Sequence, residues 1–162
     1  MKILIELPTW LGDTVMVSPA IENLVNHNKN AEIILVGSHV SIETLKNHPK
    51  VIQSLVLDKN YYYLYKSIKN FAEFDLFLTF RSSLRSKVLK FFVSSKNKFQ
   101  FDKKKYTNGH QVEKFNNFVN DSLKINSNPG KLILHTNNSY TGATKKLLGI
   151  NPGASYGNAK RW

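Results

Sequence analysis

The sequence predicts an α/β fold in which a parallel β-sheet is covered by helices on both faces. Two features of its 162 residues indicate this fold. Short runs rich in Ile, Leu, Val and Phe alternate with segments whose apolar residues recur at helical spacing, and these runs are almost continuously apolar. Strands buried on both faces have that composition. Hydrophobic residues make up 41% of the chain and aromatic residues 12%, which supplies a core and excludes a disordered chain.

Six of the short apolar runs are predicted as strands. Each has the length and the composition of a strand buried in a sheet. In chain order they are Lys2–Leu7, Glu32–Gly37, Ile52–Leu57, Asp75–Phe80, Lys98–Phe101 and Leu132–His135.

The segments between the strands carry helical patterns. The first pattern follows the i, i+3, i+4, i+7, i+8 spacing of one buried face, formed by Val17, Ala20, Ile21, Leu24 and Val25. Because proline fits the first turn of a helix, Pro19 favours a helix that starts near Ser18. The other predicted helices are Ser41–Asn47, Tyr61–Phe71, Leu84–Val93 and Val112–Leu123.

The charge of the chain favours a polyanionic partner. Lys and Arg number 23 and Asp and Glu 11, which gives a net charge of +12. Nucleic acid, a membrane surface or a phosphorylated substrate would suit that charge. The alternative is a compositional bias toward Lys and Asn. The charge is concentrated between Arg81 and Lys105, where nine cationic residues accompany one acidic residue, Asp102.

Several classes of protein are excluded by composition. The chain has no Cys, so disulfides, thiol catalysis and thiolate metal sites are absent. The longest apolar run is Tyr61–Tyr65, far shorter than the ~20 residues of a membrane span. Glu6 and Pro8 interrupt the N-terminal run before a signal-peptide core forms, so we expect a cytoplasmic protein. The five His lack the i, i+3 or i, i+4 spacing of a metal site, and no metal is predicted.

Composition divides the chain into three parts. Residues 1–136 form the predicted α/β domain, and the polar residues 137–146 read as a linker. Residues 147–162 begin with a predicted strand, Leu147–Ile150, and continue into a Gly-rich cationic segment. A strand that leads into such a segment is typical of the start of a nucleotide-binding unit. We therefore expect residues 147–162 to be the truncated start of a second domain.

The loop Pro8–Thr14 is the first candidate site, because ligands of open parallel sheets bind at the carboxyl ends of strands. Gly12 allows a ligand to approach the backbone closely, and Asp13 presents a carboxylate. That carboxylate could deprotonate a hydroxyl nucleophile, or it could cap the following helix. The residues leave both roles open.

Two further segments have groups that suit anionic ligands. Arg81–Lys87 directly follows a predicted strand and carries Arg81, Ser82, Arg85 and Ser86. Guanidinium groups bind phosphate or carboxylate through paired hydrogen bonds. The terminal segment Gly153–Trp162 carries further cations and hydroxyls. The three segments together predict a cleft between two α/β domains.

Two motifs resemble the ADP-heptose:lipopolysaccharide heptosyltransferases, glycosyltransferase family 9. Trp10–Ala20 resembles the amino-terminal signature of that family, and Asn151–Trp162 resembles its second-domain motif, most closely in the heptosyltransferase II branch. Arg85–Ser86 resembles a basic-Ser pair of the family. Gly109–Phe115 resembles the start of one of its later helices.

The resemblance implies the amino-terminal domain of a GT-B glycosyltransferase, with a Rossmann-like sheet. It implies inverting transfer of L-glycero-D-manno-heptose from ADP-heptose to the lipopolysaccharide inner core, with no cofactor and no required metal. Asp13 then corresponds to the general base. We expect the acceptor to be bound by Thr9, Gly12, Arg81, Ser82, Arg85 and Ser86. We expect the donor to be bound by Ser155, Tyr156 and Lys160.

The same resemblance implies a lipid A–core acceptor and peripheral contact with the cytoplasmic face of the inner membrane, without nucleic acid as a partner. The chain alone would be inactive, because the remaining donor-binding loops would follow Trp162. Two alternatives stay open. One is a non-catalytic basic α/β module that binds nucleic acid, and the other is a GT-B enzyme with another sugar donor.

Overall fold

The computed structural model describes residues 1–57, 66, 73–137, 148 and 150. Strands and helices alternate along them, as the apolar pattern predicts. In chain order the elements are β1 (Lys2–Glu6), α1 (Leu11–His27), β2 (Glu32–Gly37), α2 (His39–Leu45), β3 (Val51–Val56), β4 (Phe74–Thr79), α3 (Leu84–Phe92), β5 (Ser95–Gln100) and α4 (Gln111–Leu123).

The five strands form one sheet in the order β3-β2-β1-β4-β5, and every neighbouring pair is parallel. The predicted α/β fold is therefore confirmed. The central strand is β1, in which Ile5 pairs with Leu35 of β2 and Leu78 of β4. The chain builds the sheet outward from β1 to β3 and then continues on the other side of β1 with β4. The strand order thus reverses between β1 and β4, and ligands of such sheets bind at this point.

Both faces of the sheet are buried. On one face, Ile3 and Ile5 of β1 pack with apolar residues of α1, α2 and α4. On the other, Leu4 packs with Phe77 of β4 and Leu89 of α3. Each fully buried aliphatic side chain contributes about 1.5–3 kcal/mol to folding, so the central strands are firmly held. The carboxyl ends of β1 and β4 are therefore fixed relative to one another.

The predicted start of α1 near Ser18 is wrong, because the helix begins at Leu11 and contains Pro19. A proline inside a helix leaves the carbonyl four residues earlier without its N–H donor. In α1 that carbonyl is Val15 O, and the Ser18 hydroxyl donates a hydrogen bond to it (2.8 Å). The serine next to the proline thus replaces the missing donor. As a result, Asp13 lies in the first turn of the helix.

The predicted strand Leu132–His135 is also wrong. These residues are outside the sheet, and Leu132, Ile133 and Leu134 are largely exposed. The segment lies along α1 instead, where the Ile133 N–H donates to Ser18 Oγ (3.1 Å). Because its backbone bonds to a helix side chain, it does not add to a sheet edge.

The other boundaries differ less from the predictions. The strand predicted from Lys98 begins three residues earlier, because Ser95 pairs with Phe74 of β4. The helix predicted from Val112 begins at Gln111, where His110 and Glu113 form a capping box. Apart from Lys66, the predicted helix Tyr61–Phe71 lies outside the described residues, as do most of residues 138–162. Within the described ranges, no helix has both the length and the apolar character needed to cross a membrane.

Candidate functional site

A cleft of about 210 Å³ opens at the point where the strand order reverses, and we call it the switch-point cleft. The loops that follow β1 and β4 line two of its sides, and the segment from the end of β5 into α4 lines the third. Its lining residues are Pro8, Thr9, Trp10, Asp13, Phe80, Arg81, Ser82, Ser83, Phe101, Lys103, Gln111 and Phe115. Both predicted loops therefore contribute to one site.

Asp13 presents its carboxylate to this cleft from the first turn of α1. The N-cap residue of α1 is Trp10, and its side chain makes no capping hydrogen bond. Asp13 is half-exposed, and among the described residues its carboxylate has no hydrogen-bond or ion-pair partner. Asp13 is therefore not the N-cap residue of α1, which was one of the two roles that the sequence left open. The carboxylate is accessible to a bound ligand.

Thr9 and Gly12 lie beside Asp13 at the start of α1. Thr9 lines the cleft, and its carbonyl accepts a hydrogen bond from Ser38 Oγ (3.1 Å), which ties the loop to the start of α2. Gly12 is exposed, and a Cβ placed on it would meet no atom within 4 Å. The space in front of Gly12 is therefore open to a ligand.

Glu6 is a site residue that the sequence reasoning missed. It ends β1, is only 1% exposed, and accepts hydrogen bonds from Thr79 Oγ1 (2.6 Å) and Ser86 Oγ (3.0 Å). Arg81 Nη1 lies 3.4 Å from Oε1, the same oxygen that accepts the Ser86 hydrogen bond. Burial raises the pKa of Glu6, although the Thr79 hydrogen bond and the Arg81 charge oppose that rise. The available signal was a charged residue that directly follows the apolar run Ile3–Ile5.

Arg81 is held at the cleft from two directions. Its guanidinium contacts Glu6, and its carbonyl accepts a hydrogen bond from Gln100 Nε2 of β5 (3.0 Å). The same amide donates to Ser83 O (3.2 Å). The loop after β4 is therefore fixed to both neighbouring strands. Ser82 is exposed in this loop and lines the cleft.

Arg85 and Ser86 lie in the first turn of α3, on the side of the loop that faces the protein. Ser86 is fully buried and bonds Glu6, while its N–H donates to the N-cap residue Ser83. Arg85 is half-buried, and its charge lowers the pKa of Glu6, although less than burial raises it. Neither residue is among those that line the cleft. The structure thus separates this pair from Arg81 and Ser82.

A second cavity adjoins the cleft, and we call it the basic cavity. It measures about 550 Å³ and shares Ser82, Phe101 and Lys103 with the switch-point cleft. Its lining residues are Ser82, Lys87, Lys90, Gln100, Phe101, Asp102, Lys103 and Lys104. Four lysines against one aspartate favour an anionic group. An anionic ligand could therefore extend from the cleft into the basic cavity.

Two histidines that are distant in sequence meet at Glu22 on α1. Glu22 Oε1 lies 3.3 Å from His48 Nε2 and 2.9 Å from His135 Nε2. His48 Nδ1 accepts the Lys50 N–H (3.1 Å), so the ring proton is on Nε2 and points at Glu22. The contacts hold residues 131–137 against α1, and burial lowers the pKa of His48.

Comparison with known proteins identifies close relatives. No protein-family model matches the chain. Lipooligosaccharide heptosyltransferase 2 of Campylobacter jejuni is 41% identical over 171 aligned residues, which include 100% of this chain and 53% of that protein. The chain therefore spans about half the length of this curated relative.

Two solved structures share the fold. The E. coli heptosyltransferase WaaC with ADP has a TM-score of 0.65 and 13% identity, covering 78% of this chain and 48% of its own. E. coli ADP-heptose lps heptosyltransferase II has a TM-score of 0.63 and 19% identity, covering 83% of this chain and 45% of its own. Both agree with the fold that the sequence predicts. The 41% identity to the Campylobacter protein along the whole chain confirms the resemblance carried by the two motifs.

Proposed function

We propose that the protein carrying this chain transfers a heptose from ADP-heptose to the inner core of lipooligosaccharide or lipopolysaccharide. The observation that carries the proposal is the 41% identity, along the whole chain, to a lipooligosaccharide heptosyltransferase 2. The fold neighbour solved with ADP agrees with an ADP-linked donor. In this proposal residues 1–136 supply the acceptor side.

Asp13 is the general base of the proposed reaction. Its accessible carboxylate takes the proton of the acceptor hydroxyl, and the hydroxyl oxygen attacks the anomeric carbon of the heptose. The bond from that carbon to the ADP oxygen breaks, and ADP leaves on the opposite face, which inverts the anomeric configuration. A base must touch the proton that it removes, and Asp13 faces the cleft with no partner among the described residues. This geometry supports the assignment.

Cationic side chains bind the anionic acceptor in this proposal. Arg81 and Lys103 line the cleft, and Lys87, Lys90 and Lys104 extend the charge into the basic cavity. Ser82 and Thr9 add hydroxyl groups, and the open space at Gly12 admits the sugar. Arg85 and Ser86 act indirectly, because Ser86 bonds Glu6 and the charge of Arg85 lowers the pKa of that carboxyl. The donor is bound by Ser155, Tyr156 and Lys160, which lie outside the described residues, and no metal is required.

The alternative of a nucleic-acid module is less favoured by the structure. Phe101 lies between the two cavities but is 2% exposed, and Phe99 is partly buried against the core. Stacking on bases needs exposed ring faces. Within the basic stretch, the rings at the two cavities are buried, and the exposed rings of Phe91 and Phe92 line neither cavity. Gel shifts with random oligonucleotides at two salt concentrations separate the alternatives, since a core transferase should give no specific complex.

Incubation with ADP-heptose and a defined inner-core acceptor tests the proposal. The full-length protein that carries this chain should release ADP and add the mass of one heptose to the acceptor. Asp13→Asn should lower kcat by about 10²–10⁴-fold without changing the melting temperature. Asp102→Asn is the matched control, because Asp102 lies at the neighbouring cavity and its carboxylate accepts the Lys104 N–H.

The results of this assay test the proposed base, the proposed donor and the proposed stereochemistry separately. Full activity of Asp13→Asn would show that another group removes the proton. Transfer from a different nucleotide sugar, with none from ADP-heptose, would identify a GT-B enzyme with another donor. Retention of the anomeric configuration in the product, seen by NMR, would contradict the single displacement.

A further inference from the structure

Trp10 presents an exposed aromatic ring at the switch-point cleft. It lines the cleft and is 65% exposed. Within the described part of the chain, its indole has no hydrogen-bond partner and stacks on no other ring. Three phenylalanines also line the cleft, Phe80, Phe101 and Phe115, but each is only 2–3% exposed. Among the residues that line this cleft, the accessible aromatic surface therefore belongs to Trp10.

Neither the core nor helix α1 accounts for a tryptophan at this position. Trp10 is the N-cap residue of α1, a position that favours Ser, Thr, Asp and Asn because their side chains accept a backbone N–H. The indole nitrogen only donates hydrogen bonds, so Trp10 cannot cap the helix. Its ring is mostly exposed and adds little to hydrophobic stabilisation. A role in binding explains a residue that folding does not favour.

The backbone of Trp10 is held firmly although its side chain is exposed. Its carbonyl accepts hydrogen bonds from the Thr14 N–H (3.0 Å) and from Thr14 Oγ1 (2.9 Å). Thr14 is fully buried, and its hydroxyl also lies 3.4 Å from Pro8 O. A ligand that stacks on the ring therefore has to order only the two side-chain torsions of Trp10, which keeps the entropic cost of binding low.

The ring and the Asp13 carboxylate are neighbours at the start of α1. Trp10 is the N-cap residue and Asp13 is the third helical residue, and the side chains at these two positions meet in a capping box. Both residues line the cleft, together with the hydroxyl-bearing residues Thr9 and Ser82. A matching ligand has a flat apolar face for the indole and hydroxyl groups at its edge. A pyranose sugar has both, whereas a nucleobase has no hydroxyl group.

We propose that Trp10 stacks against the C–H face of the acceptor sugar that carries the attacking hydroxyl, and that this contact brings the hydroxyl to Asp13. The inference rests on the proposed function, because it places the acceptor in this cleft. Trp10 is then an acceptor-binding residue that also affects specificity. A sugar with a hydroxyl on the stacked face would leave that group without a hydrogen-bond partner, which disfavours its binding.

Kinetics with the full-length protein, ADP-heptose and an inner-core acceptor freed of its lipid test this contact. Trp10→Ala should raise KM for the acceptor by about 10–100-fold, because a large apolar contact is lost, and should leave KM for ADP-heptose unchanged. Trp10→Tyr should restore most of the acceptor affinity, since a phenol ring keeps a flat apolar face. Leu11→Ala is the matched control, because Leu11 is 54% exposed but is not among the residues that line the cleft.

Two measurements distinguish binding from a structural role. Trp10→Ser should raise the melting temperature, because serine can cap α1, and should still raise KM for the acceptor. The lipid-free acceptor, added without donor, should shield Trp10 from quenching by acrylamide. The signal of Trp10 is the difference in fluorescence between the wild type and Trp10→Phe, which removes the contribution of other tryptophans.

The outcomes separate the role of Trp10 from the proposed function. An unchanged acceptor KM in Trp10→Ala would overturn the proposal, and so would a wild-type indole that the acceptor does not shield. Shielding by ADP alone would also overturn it, because the nucleotide would then stack on Trp10. Shielding by the acceptor without heptose transfer by the wild type would refute only the proposed function.

Discussion

Replacing Glu6 with Gln tests whether the buried carboxylate holds the cleft together. Glu6 accepts hydrogen bonds from Thr79 and Ser86 in a fully buried position and contacts Arg81 from one side. Glutamine has nearly the same shape but no charge, and one of its two terminal atoms is a donor. The change therefore removes charge-assisted bonding and leaves the packing intact.

The expected change in the free energy of unfolding follows from the number of contacts that Glu6 makes. A hydrogen bond to a charged group contributes about 1.5–3 kcal/mol and a neutral one about 0.5–1.5 kcal/mol, so each buried contact loses about 1 kcal/mol. Against this loss, Gln avoids the cost of burying a charge, a cost that the raised pKa of Glu6 reports. We expect a net loss of about 1–2 kcal/mol at neutral pH, which lowers Tm by about 2–8 °C.

The difference between wild type and Glu6→Gln should depend on pH with a definite sign. The carboxyl has an unfolded pKa near 4.5 and a higher folded one, so the folded state binds its proton more tightly. The stability that this proton provides is present below pH 4.5 and is lost as pH rises through the folded pKa. Gln cannot ionise. The stability gap should therefore be widest near pH 4.5 and narrower at pH 8.

Urea unfolding of the wild type and the variant at the two pH values measures this gap. Glu32→Gln is the control, because Glu32 is an exposed glutamate on the neighbouring strand β2. The variant should also raise KM for the acceptor, since Arg81 loses its partner, and change kcat less. A gap that is zero, or that widens with rising pH, would refute the reasoning about the buried charge.

Three further predictions follow from single contacts. Gly12→Ala should leave Tm unchanged, because the new methyl meets no atom, and should raise KM for the acceptor; an unchanged KM would remove Gly12 from the acceptor site. The pKa of His48 is lowered in the folded state, so protonation of this residue below about pH 6.5 destabilises the protein. His48→Gln should therefore reduce the drop in Tm between pH 7.5 and pH 5.5. An equal drop in the wild type and the variant would contradict this. Ser18→Ala should lower the free energy of unfolding in urea by about 1–3 kcal/mol, because the Val15 carbonyl loses its hydrogen-bond donor. An unchanged free energy of unfolding would show that another group donates to this carbonyl.

The sheet could be predicted from the sequence because its strands are continuous apolar runs. Four of the six predicted strands match observed strands to within one residue at each end. The start of α1 was missed because Pro19 normally begins a helix, and the compensating Ser18 hydroxyl is visible only in the structure. Leu132–His135 has the composition of a strand, but its backbone is bonded to α1. A hydrogen bond within the helix decided the first case and a tertiary contact decided the second.

The part of the site that is determined by the topology of a parallel sheet could be predicted from the sequence. Parallel strands place their carboxyl ends at one edge, so the loops with Asp13 and Arg81 had to share it. Gln111 and Phe115 could not be assigned in this way, because they reach the cleft through packing of α4 on α1. The sequence also could not predict that Arg85 lies outside the lining of the cleft, because that depends on the rotation of α3 about its axis.

Two carboxylates lie near the cleft, Glu6 at the carboxyl end of β1 and Asp13 at the start of α1. Their surroundings differ. Glu6 is buried and its oxygens accept hydrogen bonds from three side chains, so it is not accessible to a substrate. Asp13 faces the cleft and has no such partner among the described residues. This contrast supports the proposed assignment of the general base to Asp13, while Glu6 contacts the loop that carries Arg81. The two should differ kinetically: Asp13→Asn should lower kcat at constant stability, and Glu6→Gln should raise KM and lower stability. The same kinetic pattern in both variants would show that the two carboxylates act as one unit.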